Sequence, residues 1–185
     1  PDTEAFVVDE EGRRVAAGVV GELVVRGANV MLGYWNNPEA SAKRLRAGDL
    51  PGERWLYTGD LFKADDEGFL YFVGRTDDII KSRGEKVAPR EIEQVLYQLT
   101  GVRDAVVFGI PDEVLGQKVC ALVTAESGVS LSRADVLKHC KGHLEDILMP
   151  QVVSVRESFP LNASGKIDKL QLAAELTEIV GGGKS

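Results

Sequence analysis

Long apolar runs and clustered positive charge are missing from this sequence, and each absence excludes a class of protein. No apolar stretch approaches the roughly 20 residues that a membrane-spanning helix requires. Asp and Glu number 29 against 22 Lys and Arg, so the formal net charge is −7, whereas nucleic-acid binding depends on clustered basic residues that displace counterions. We therefore expect no transmembrane segment and no nucleic-acid partner.

Cysteine and histidine are scarce, with two residues of each type. Cys120 and Cys140 form no motif and suit a reducing compartment, and because no export signal is present the sequence predicts a cytoplasmic location. His139 and His143 have the i, i+4 spacing of zinc ligands on a helix, but the chain has no other histidine. We expect a half-buried helix face there and no metal site in this chain.

The overall composition is that of a globular protein. The 185 residues are 44% hydrophobic and 28% charged, which suits one ordinary domain or two small ones. The first residues, PDTEAFVVDE, begin without Met and in the middle of a strand-like pattern. We therefore expect the chain to be part of a longer protein whose partner segment lies upstream.

Residues 1–76 show the pattern of β-structure. Short runs of β-branched and aromatic residues are bounded by glycine and acidic residues, as in EAFVVD, GELVVRG and GFLYFVG. The residues ADDEG predict a hairpin turn in which Gly68 supplies a positive φ. One helix is predicted at NPEASAKRL, where Asn37 is the cap and Pro38 fits the first helical position.

Residues 77–180 alternate between helical and strand patterns, which predicts a small α+β domain with a short sheet flanked by helices. The predicted helices are APREIEQVLYQL, a segment that follows Ser132, and KIDKLQLAAELTEIV. The predicted buried strands are DAVVFGI, KVCALVTAE and VVSVRE. In the first helix, one face carries the apolar residues Ile92, Val95, Leu96 and Leu99. Residues 181–185 are expected to be a flexible tail.

Four stretches occur together in a diagnostic order and spacing: GELVVRGANVMLGYWNNPEAS, YTGDL, GRTDDIIKSRGEKVAPREIE and PLNASGKIDK. From Gly21 to Lys169 the chain closely resembles the C-terminal third of the AMP-forming acyl-CoA synthetases. Their superfamily also includes firefly luciferase and the adenylation domains of nonribosomal peptide synthetases. The resemblance implies that residues 1–76 end a large adenylate-forming domain and that residues 77–180 form a mobile small domain.

The resemblance also implies an activity. Members of the family activate a carboxylic acid with ATP, release pyrophosphate to form an acyl-AMP, and transfer the acyl group to CoA. The expected small-molecule partners are a carboxylic acid, ATP or AMP, CoA and Mg²⁺, and the expected protein partner is the chain's own N-terminal domain. Because the phosphate loop and acyl pocket of the family lie upstream, we expect this chain alone to show little or no turnover.

Three residues near the predicted domain boundary match nucleotide and hinge positions of the family. Asp60 matches an aspartate that accepts hydrogen bonds from both ribose hydroxyls, for which two carboxylate oxygens are suited. Arg75 matches an arginine near the ribose and phosphate, and Asp77 matches the hinge about which the small domain rotates between half-reactions. The alternatives are a turn aspartate, a surface ion pair and a capping residue, respectively.

Lys166 matches the family lysine that neutralises the attacking carboxylate and the α-phosphate during adenylate formation. The alternative is a solvated surface charge. The Ser-Gly pair before it predicts a pliable loop that can reach the site, and Lys169 is expected to support that loop. Two resemblances to the Walker phosphate loop fail, because Pro160 and Glu178 occupy the first-glycine positions before SGK and GGGKS.

Gly84, Lys81 and Lys86 are expected to face CoA. Gly84 matches a glycine beside the pantetheine arm, where a side chain would block the tunnel, and the alternative is a plain turn glycine. Lys81 matches a lysine that some members use in thioester formation, with a solvated charge as the alternative, and Lys86 lies where CoA phosphates could pass. Met149 and Gln151 are neutral where the family often has basic residues near the nucleotide end of CoA.

Two other functions stay open at this point: an adenylation domain that loads a carrier protein's pantetheine arm, and a non-catalytic interaction module. A luciferase-like oxidase is a distant third. The stretch DDIIKSRGEKVAPREIE resembles the CoA ligases more than the peptide-synthetase domains, and no carrier-protein serine motif follows it. The acid itself is undetermined, since fatty, aromatic and alicyclic acids all suit the family.

Overall fold

A computed structural model describes residues 2–181, and in it the chain divides between Asp77 and Asp78 into two compact units. The sequence placed this boundary one residue earlier, between Thr76 and Asp77. The predicted flexible tail lies outside the described residues from 182 onward, and Gly181 is the last residue of the final helix. Among residues 2–181, no helix is long and apolar enough to cross a bilayer.

The first unit is one antiparallel sheet with a short α-helix. The elements are β1 Thr3–Val8, β2 Gly21–Gly27, α1 Pro38–Arg44, β3 Leu45–Ala47, β4 Arg54–Ala64 and β5 Leu70–Arg75. The strand order is β1-β2-β4-β3, and β5 also pairs with β4. The predicted helix start is confirmed, because the Asn37 side chain accepts a hydrogen bond from Ala40 N and Pro38 begins the helix.

The β4–β5 hairpin determines the geometry of the predicted nucleotide residues. Gly68 has φ +86°, as the turn requires, and Asp65 Oδ1 accepts from the amides of Glu67 and Phe69. The resulting register places Asp60 of β4 directly opposite Arg75 of β5. Residues paired across an antiparallel ladder project side chains to the same face, so the hairpin alone brings the two together.

The second unit is a mixed sheet with three helices, which confirms the predicted α+β class. Its elements are β6 Ile80–Ser82, β7 Glu85–Val87, α2 Pro89–Tyr97, β8 Val102–Asp112, β9 Gly116–Ala125, α3 Arg133–His143, β10 Val152–Arg156 and α4 Lys169–Gly181. Strand β9 is central: it pairs with β8 antiparallel and with β10 parallel, and its first residue bridges β6. The predicted cap of α3 is confirmed, since Ser132 and Asp135 form a reciprocal capping box.

Alternate residues of β8 and β9 fill two separate cores. Successive side chains of a strand point to opposite faces of a sheet, so the two cores lie on opposite faces. The helix-pair core joins one set of strand residues to α2 and α3, and its members are Ile80, Val87, Ile92, Leu96, Val102, Ala105, Val107, Val119, Ala121, Val123, Val136, Cys140 and Val153. The α4 core lies on the other face, and its members are Val106, Phe108, Ile110, Cys120, Leu122, Leu172 and Leu176.

The final helix begins at Lys169, three residues later than the sequence pattern predicted. Residues 160–168 instead form a hairpin, the Lys166 hairpin, in which Leu161 bridges Ile167. Asp168 then caps the helix, because its Oδ1 accepts from Gln171 N at 3.0 Å. The sequence pattern missed this start because Ile167 is apolar and continues the helical periodicity backward, although it belongs to the hairpin.

Helix α4 offers a matched test of the α4 core. Leu172 is 1% exposed and Leu170 is 85% exposed on the same helix. We expect Leu172→Ala to lower the free energy of unfolding by about 2–5 kcal/mol, because it removes buried methyl groups and leaves a cavity. Leu170→Ala is expected to change it by less than about 0.5 kcal/mol. Urea denaturation of the second unit measures both, and equal losses would contradict the assignment of the buried face.

Candidate functional site

The predicted nucleotide residues form a close ion pair. Arg75 Nη1 lies 2.5 Å from Asp60 Oδ1, and both side chains are partly exposed. The Asp60 amide donates to Thr58 Oγ1, whose hydroxyl donates to the Leu23 carbonyl of the neighbouring strand. The backbone of Asp60 is therefore fixed in the sheet, and its carboxylate has two oxygens that can accept hydrogen bonds from two neighbouring hydroxyls.

Asp77 joins this pair in a larger group of charges, the hinge cluster, formed by Glu22, Arg44, Asp60, Arg75 and Asp77. Asp77 Oδ2 lies 3.8 Å from Arg75 Nη2 and 3.2 Å from Arg44 Nη2. Arg44 also lies 3.9 Å from Glu22, which accepts from the Gly59 amide at 2.8 Å. The structure thus brings all three predicted residues of the first unit together.

Arg44 is a member of the cluster that sequence reasoning missed. A basic residue in the last turn of a helix is usual, because it interacts favourably with the helix dipole, so nothing in the sequence indicates a second role for Arg44. Its guanidinium packs against Gly59, which has φ +76° and where a Cβ would lie 2.1 Å from Arg44 Nη1. Glycine at 59 is therefore required both by the backbone and by the close approach of Arg44.

Gly84 lies in the tight turn of the β6–β7 hairpin, the Gly84 hairpin, residues 80–87. Ser82 pairs with Glu85, and the two residues between them have positive φ, +55° at Arg83 and +82° at Gly84. This is the conformation of a primed two-residue hairpin turn, so glycine is favoured here for backbone reasons. Among the described residues, no atom lies within 4 Å of a Cβ built at Gly84, and the space beside the turn is open.

Lys81 and Lys86 are directly paired across the same hairpin, and both are exposed. Like charges opposite each other on one face of a strand pair repel, and the arrangement favours an anionic ligand. The backbone of Lys81 is fixed independently of its ammonium group, because its amide donates to Gln117 Oε1 at 2.7 Å.

The Gly84 hairpin is supported by the β8–β9 turn. Arg83 N donates to the Leu115 carbonyl at 2.9 Å, and Leu115 N donates to Asp112 Oδ1 at 2.8 Å. The Lys118 ammonium, 2.6 Å from Asp112, and the Leu115 amide lower the pKa of the Asp112 carboxyl to about 2. The carboxylate therefore stays ionised, and the turn stays hydrogen bonded, well below neutral pH.

Gln151, one of the neutral residues near Pro150, has a structural role, because its side chain is hydrogen bonded to the backbone. Its Oε1 accepts from the Val119 amide at 2.7 Å and its Nε2 donates to the Met149 carbonyl at 2.5 Å. The side chain thus continues the ladder of β9 where β10 begins, which accounts for an amide rather than a cation at this position.

Lys166 is exposed on one arm of the Lys166 hairpin, whose two arms are joined by backbone hydrogen bonds. Asn162 N donates to the Lys166 carbonyl at 2.8 Å, and Asp168 N donates to the Pro160 carbonyl at 2.9 Å. Gly165 has φ +76°, as in a three-residue hairpin loop that ends in a left-handed glycine.

The base of the Lys166 hairpin is anchored by packing and by charge. Phe159 and Ile167 pack against the α4 core. Lys169 Nζ lies 3.3 Å from Glu93 Oε1 and 3.4 Å from the Val107 carbonyl, and the same Glu93 oxygen accepts from Val107 N. Sequence reasoning expected Lys169 to support the loop but gave no partner for it, because Glu93 is 76 residues away along the chain.

The two hairpins of the second unit contact different cores. Ile80 and Val87 of the Gly84 hairpin are buried in the helix-pair core, whereas Ile167 packs against the α4 core. The Gly84 hairpin consists of strands β6 and β7 of the sheet, and the Lys166 hairpin directly precedes α4, so the two are separate parts of one small unit.

The cysteines are buried, and the histidines lie together on α3. Cys120 and Cys140 are buried and unpaired, and burial raises the pKa of the Cys120 thiol to about 12 and also raises that of Cys140. His139 Nε2 lies 2.9 Å from the Val95 carbonyl, and its half-buried ring stacks on His143. Within residues 2–181, no group of three or more His, Cys, Asp or Glu side chains is placed to hold a metal.

Comparisons with known proteins agree with this architecture. The family model described as the AMP-binding enzyme C-terminal domain matches residues 91–166, and that described as AMP-binding enzyme matches residues 1–35. A propanoyl:CoA ligase of Rhodococcus jostii, whose propanoyl group carries a methyl-dioxo-octahydroindenyl substituent, is 41% identical over 89% of this chain and 31% of its own length.

Two solved structures share the fold over nearly all of the chain. ATP-bound MatB from Rhodopseudomonas palustris superposes with a TM-score of 0.86 at 32% identity, over 97% of this chain and 35% of MatB. The amide bond synthetase McbA from Marinactinospora thermotolerans superposes with a TM-score of 0.82 at 34% identity, over 96% of this chain and 35% of McbA.

The chain spans about a third of the length of the curated relatives it matches. The two family models together match more than half of the chain. The chain belongs to the AMP-binding, adenylate-forming enzymes and corresponds to their C-terminal portion.

Proposed function

We propose that this chain is the catalytic C-terminal portion of an ATP-dependent, AMP-forming carboxylate–CoA ligase. In the first half-reaction, a carboxylate oxygen attacks the α-phosphorus of ATP, and the bond to pyrophosphate breaks to leave an acyl-AMP. In the second, the CoA sulfur attacks the acyl carbonyl and AMP leaves, so that the products are acyl-CoA and AMP.

One observation carries the proposal: the two predicted catalytic hairpins are separate parts of one small unit and contact different cores. Ile167 packs against the α4 core and Ile80 is buried in the helix-pair core. Two separate hairpins on one unit suit a reaction in two steps, in which each hairpin serves one step in turn.

The hinge cluster supplies the proposed nucleotide site of the first unit. Asp60 accepts hydrogen bonds from the two ribose hydroxyls, and Arg75 donates to the ribose and phosphate side of the nucleotide. The side chains suit these roles because the carboxylate is an acceptor, the guanidinium is a fixed fork of donors, and both lie at partly exposed positions of one hairpin.

Lys166 is the proposed catalytic residue of the first half-reaction. The attacking carboxylate and the triphosphate are both anionic, and their repulsion increases as the new bond forms. An ammonium group that reaches both lowers the energy of the transition state more than that of the separate reactants. Lys166 suits this task because its side chain is exposed at an ordered hairpin.

Asp77 is the proposed hinge between the half-reactions. It lies two residues after the end of β5, in a single 3₁₀ turn at Thr76–Asp78, and it is the last residue of the first unit. A rotation concentrated at few backbone positions requires residues that tolerate unusual φ and ψ values, and Asp does so better than branched residues.

The Gly84 hairpin is the proposed surface for the second half-reaction. The open space beside Gly84 allows the pantetheine arm to approach the backbone, and the paired Lys81 and Lys86 favour the phosphates of CoA. Mg²⁺ is expected to arrive with ATP, bound to its phosphates and to residues upstream of this chain. A cytoplasmic location stays part of the proposal.

The acceptor in the second half-reaction is what separates this proposal from its alternatives. McbA is an amide bond synthetase, and some members of the superfamily load carrier proteins instead of free CoA. The Rhodococcus jostii relative is a CoA ligase at higher identity, which favours CoA here. AMP release by the full-length protein, assayed with a panel of acids and with CoA, an amine or a carrier protein, distinguishes these acceptors.

We expect the two faces to be separable by mutation in the full-length protein. Lys166→Ala should slow adenylate formation by about a hundredfold to a thousandfold, because one charged donor is lost from the transition state. Thioester synthesis from supplied acyl-adenylate should continue. Gly84→Leu should do the reverse, because its side chain occupies the path of the pantetheine arm. Pyrophosphate release and thioester formation measure the two steps.

Two matched controls keep this test specific. Lys141→Ala removes an exposed lysine at the end of α3 and should leave both rates within about twofold. Gly128→Leu introduces the same backbone strain as Gly84→Leu, since Gly128 also has φ +80° and open space, but at a different loop. Equal loss of both steps in Lys166→Ala and Gly84→Leu would contradict the separation of faces.

Asp60→Ala tests the nucleotide site. Losing the acceptor of two hydroxyl hydrogen bonds should raise the KM for ATP about tenfold or more, at roughly 1 kcal/mol for each bond. Asp66→Ala, an exposed acid in the turn of the same hairpin, is the matched control and should leave the KM unchanged. Steady-state kinetics with varied ATP provide the measurement, and an unchanged KM for Asp60→Ala would remove Asp60 from the site.

A further inference from the structure

The tip of the Lys166 hairpin is organised by one side chain. Asn162 Oδ1 accepts from Ser164 N at 2.9 Å and from Lys166 N at 3.1 Å. The Asn162 carbonyl accepts from Gly165 N at 2.9 Å, and the Asn162 amide donates to the Lys166 carbonyl at 2.8 Å. Asparagine is common at such positions because its short side chain can substitute for a backbone acceptor.

These four bonds are the whole of the tip's hydrogen bonding within the described part of the chain. Each hydrogen bond of residues 163–166 in this part of the chain is made with Asn162. The base of the hairpin is held differently, by Ile167 in the α4 core and by Lys169 at Glu93. The anchors at the base therefore fix where the hairpin leaves the sheet, and Asn162 fixes the backbone of Lys166 itself.

The position of that backbone matters for an electrostatic catalyst. An ammonium group stabilises a transition state only when it is held close to the charge that develops, and a displacement of about 1 Å can reduce a rate by as much as about a hundredfold. Lys166 is exposed, so no packed side chains hold it in place before the substrates arrive. Its direction is set by the conformation of its own backbone.

We propose that Asn162 is a positioning residue for adenylate formation, which it serves by fixing the backbone conformation from which Lys166 reaches the reacting phosphate. This inference rests on the proposed role of Lys166. Asn162 does not contact substrate in this account. Without the Asn162 side chain, the amides of Ser164 and Lys166 donate to water instead. The tip then samples conformations in which the Lys166 ammonium group does not reach the reacting phosphate.

A role confined to positioning has a specific signature. Asn162 is exposed, so its truncation leaves both hydrophobic cores intact. The change should therefore affect one half-reaction and not the other, and it should appear in the maximal rate of adenylate formation instead of in the KM for ATP. A neutral acceptor of similar size should restore the rate.

The test compares four forms of the full-length protein: wild type, Asn162→Ala, Asn162→Ser and Lys166→Ala. We expect Asn162→Ala to lower the maximal rate of adenylate formation about tenfold, with thioester synthesis from supplied acyl-adenylate unchanged. Asn162→Ser keeps a hydroxyl that can accept from the amide two residues on, so its rate should return to within about threefold of wild type.

The outcomes separate this inference from the proposed function. If Lys166→Ala is impaired in adenylate formation while Asn162→Ala equals wild type, the positioning role is overturned and the role of Lys166 stands. If Asn162→Ala slows both half-reactions equally, the residue is structural and the inference is wrong. If Lys166→Ala forms adenylate at the wild-type rate, the proposed function and the inference both fail.

Discussion

The alternation of side chains along β9, and along β8 from Ala105 onward, is the constraint on which the second unit depends. Val107 and its alternate neighbours bury one face against α2 and α3, whereas Val106 and its neighbours bury the other against α4. A strand pair that is apolar on both faces must be covered on both faces. Each of the two functional hairpins contacts one of these cores, the Gly84 hairpin through Ile80 and Val87 and the Lys166 hairpin through Ile167.

In the first unit, the functional side chains are brought together by the register of paired strands instead of by packing in a core. Pairing of β4 with β5 places Asp60 opposite Arg75, and the chain reaches Asp77 two residues later. Arg44 completes the cluster from α1 and contacts Asp77 and Glu22. The proposed nucleotide site and the proposed hinge thus share one set of charges, and a change in the partners of Arg75 also changes those of Asp77.

Much of the fold was accessible from the sequence because local signals agreed with the tertiary structure. The caps at Asn37 and Ser132 and the glycine turn of the β4–β5 hairpin are local features, and the structure confirms them. The three-residue strands β3, β6 and β7 were missed because so short a segment shows no alternation. Their pairing is decided by neighbours that are distant in sequence.

The candidate site, like the fold, was predictable where the signal is local and missed where it depends on distant partners. Asp60, Arg75 and Asp77 were found through motifs, and their convergence follows from one hairpin. Arg44 and Glu93 were missed, because each acts through a partner more than 30 residues away and each has an ordinary local explanation. Asn162 did carry a local signal, since Asn followed by Ala-Ser-Gly is typical of a turn, but the pattern does not reveal that two amides converge on its side chain.

The central claim is that the second unit rotates about Asp77 to use its two faces in succession. Pulsed electron paramagnetic resonance on the full-length protein tests it, with spin labels at Asp66→Cys in the first unit and Lys138→Cys in the second, both exposed positions. We predict two different interlabel distance distributions, one with ATP and the other with an acyl-adenylate analogue and CoA. The same distribution in both states would contradict the account.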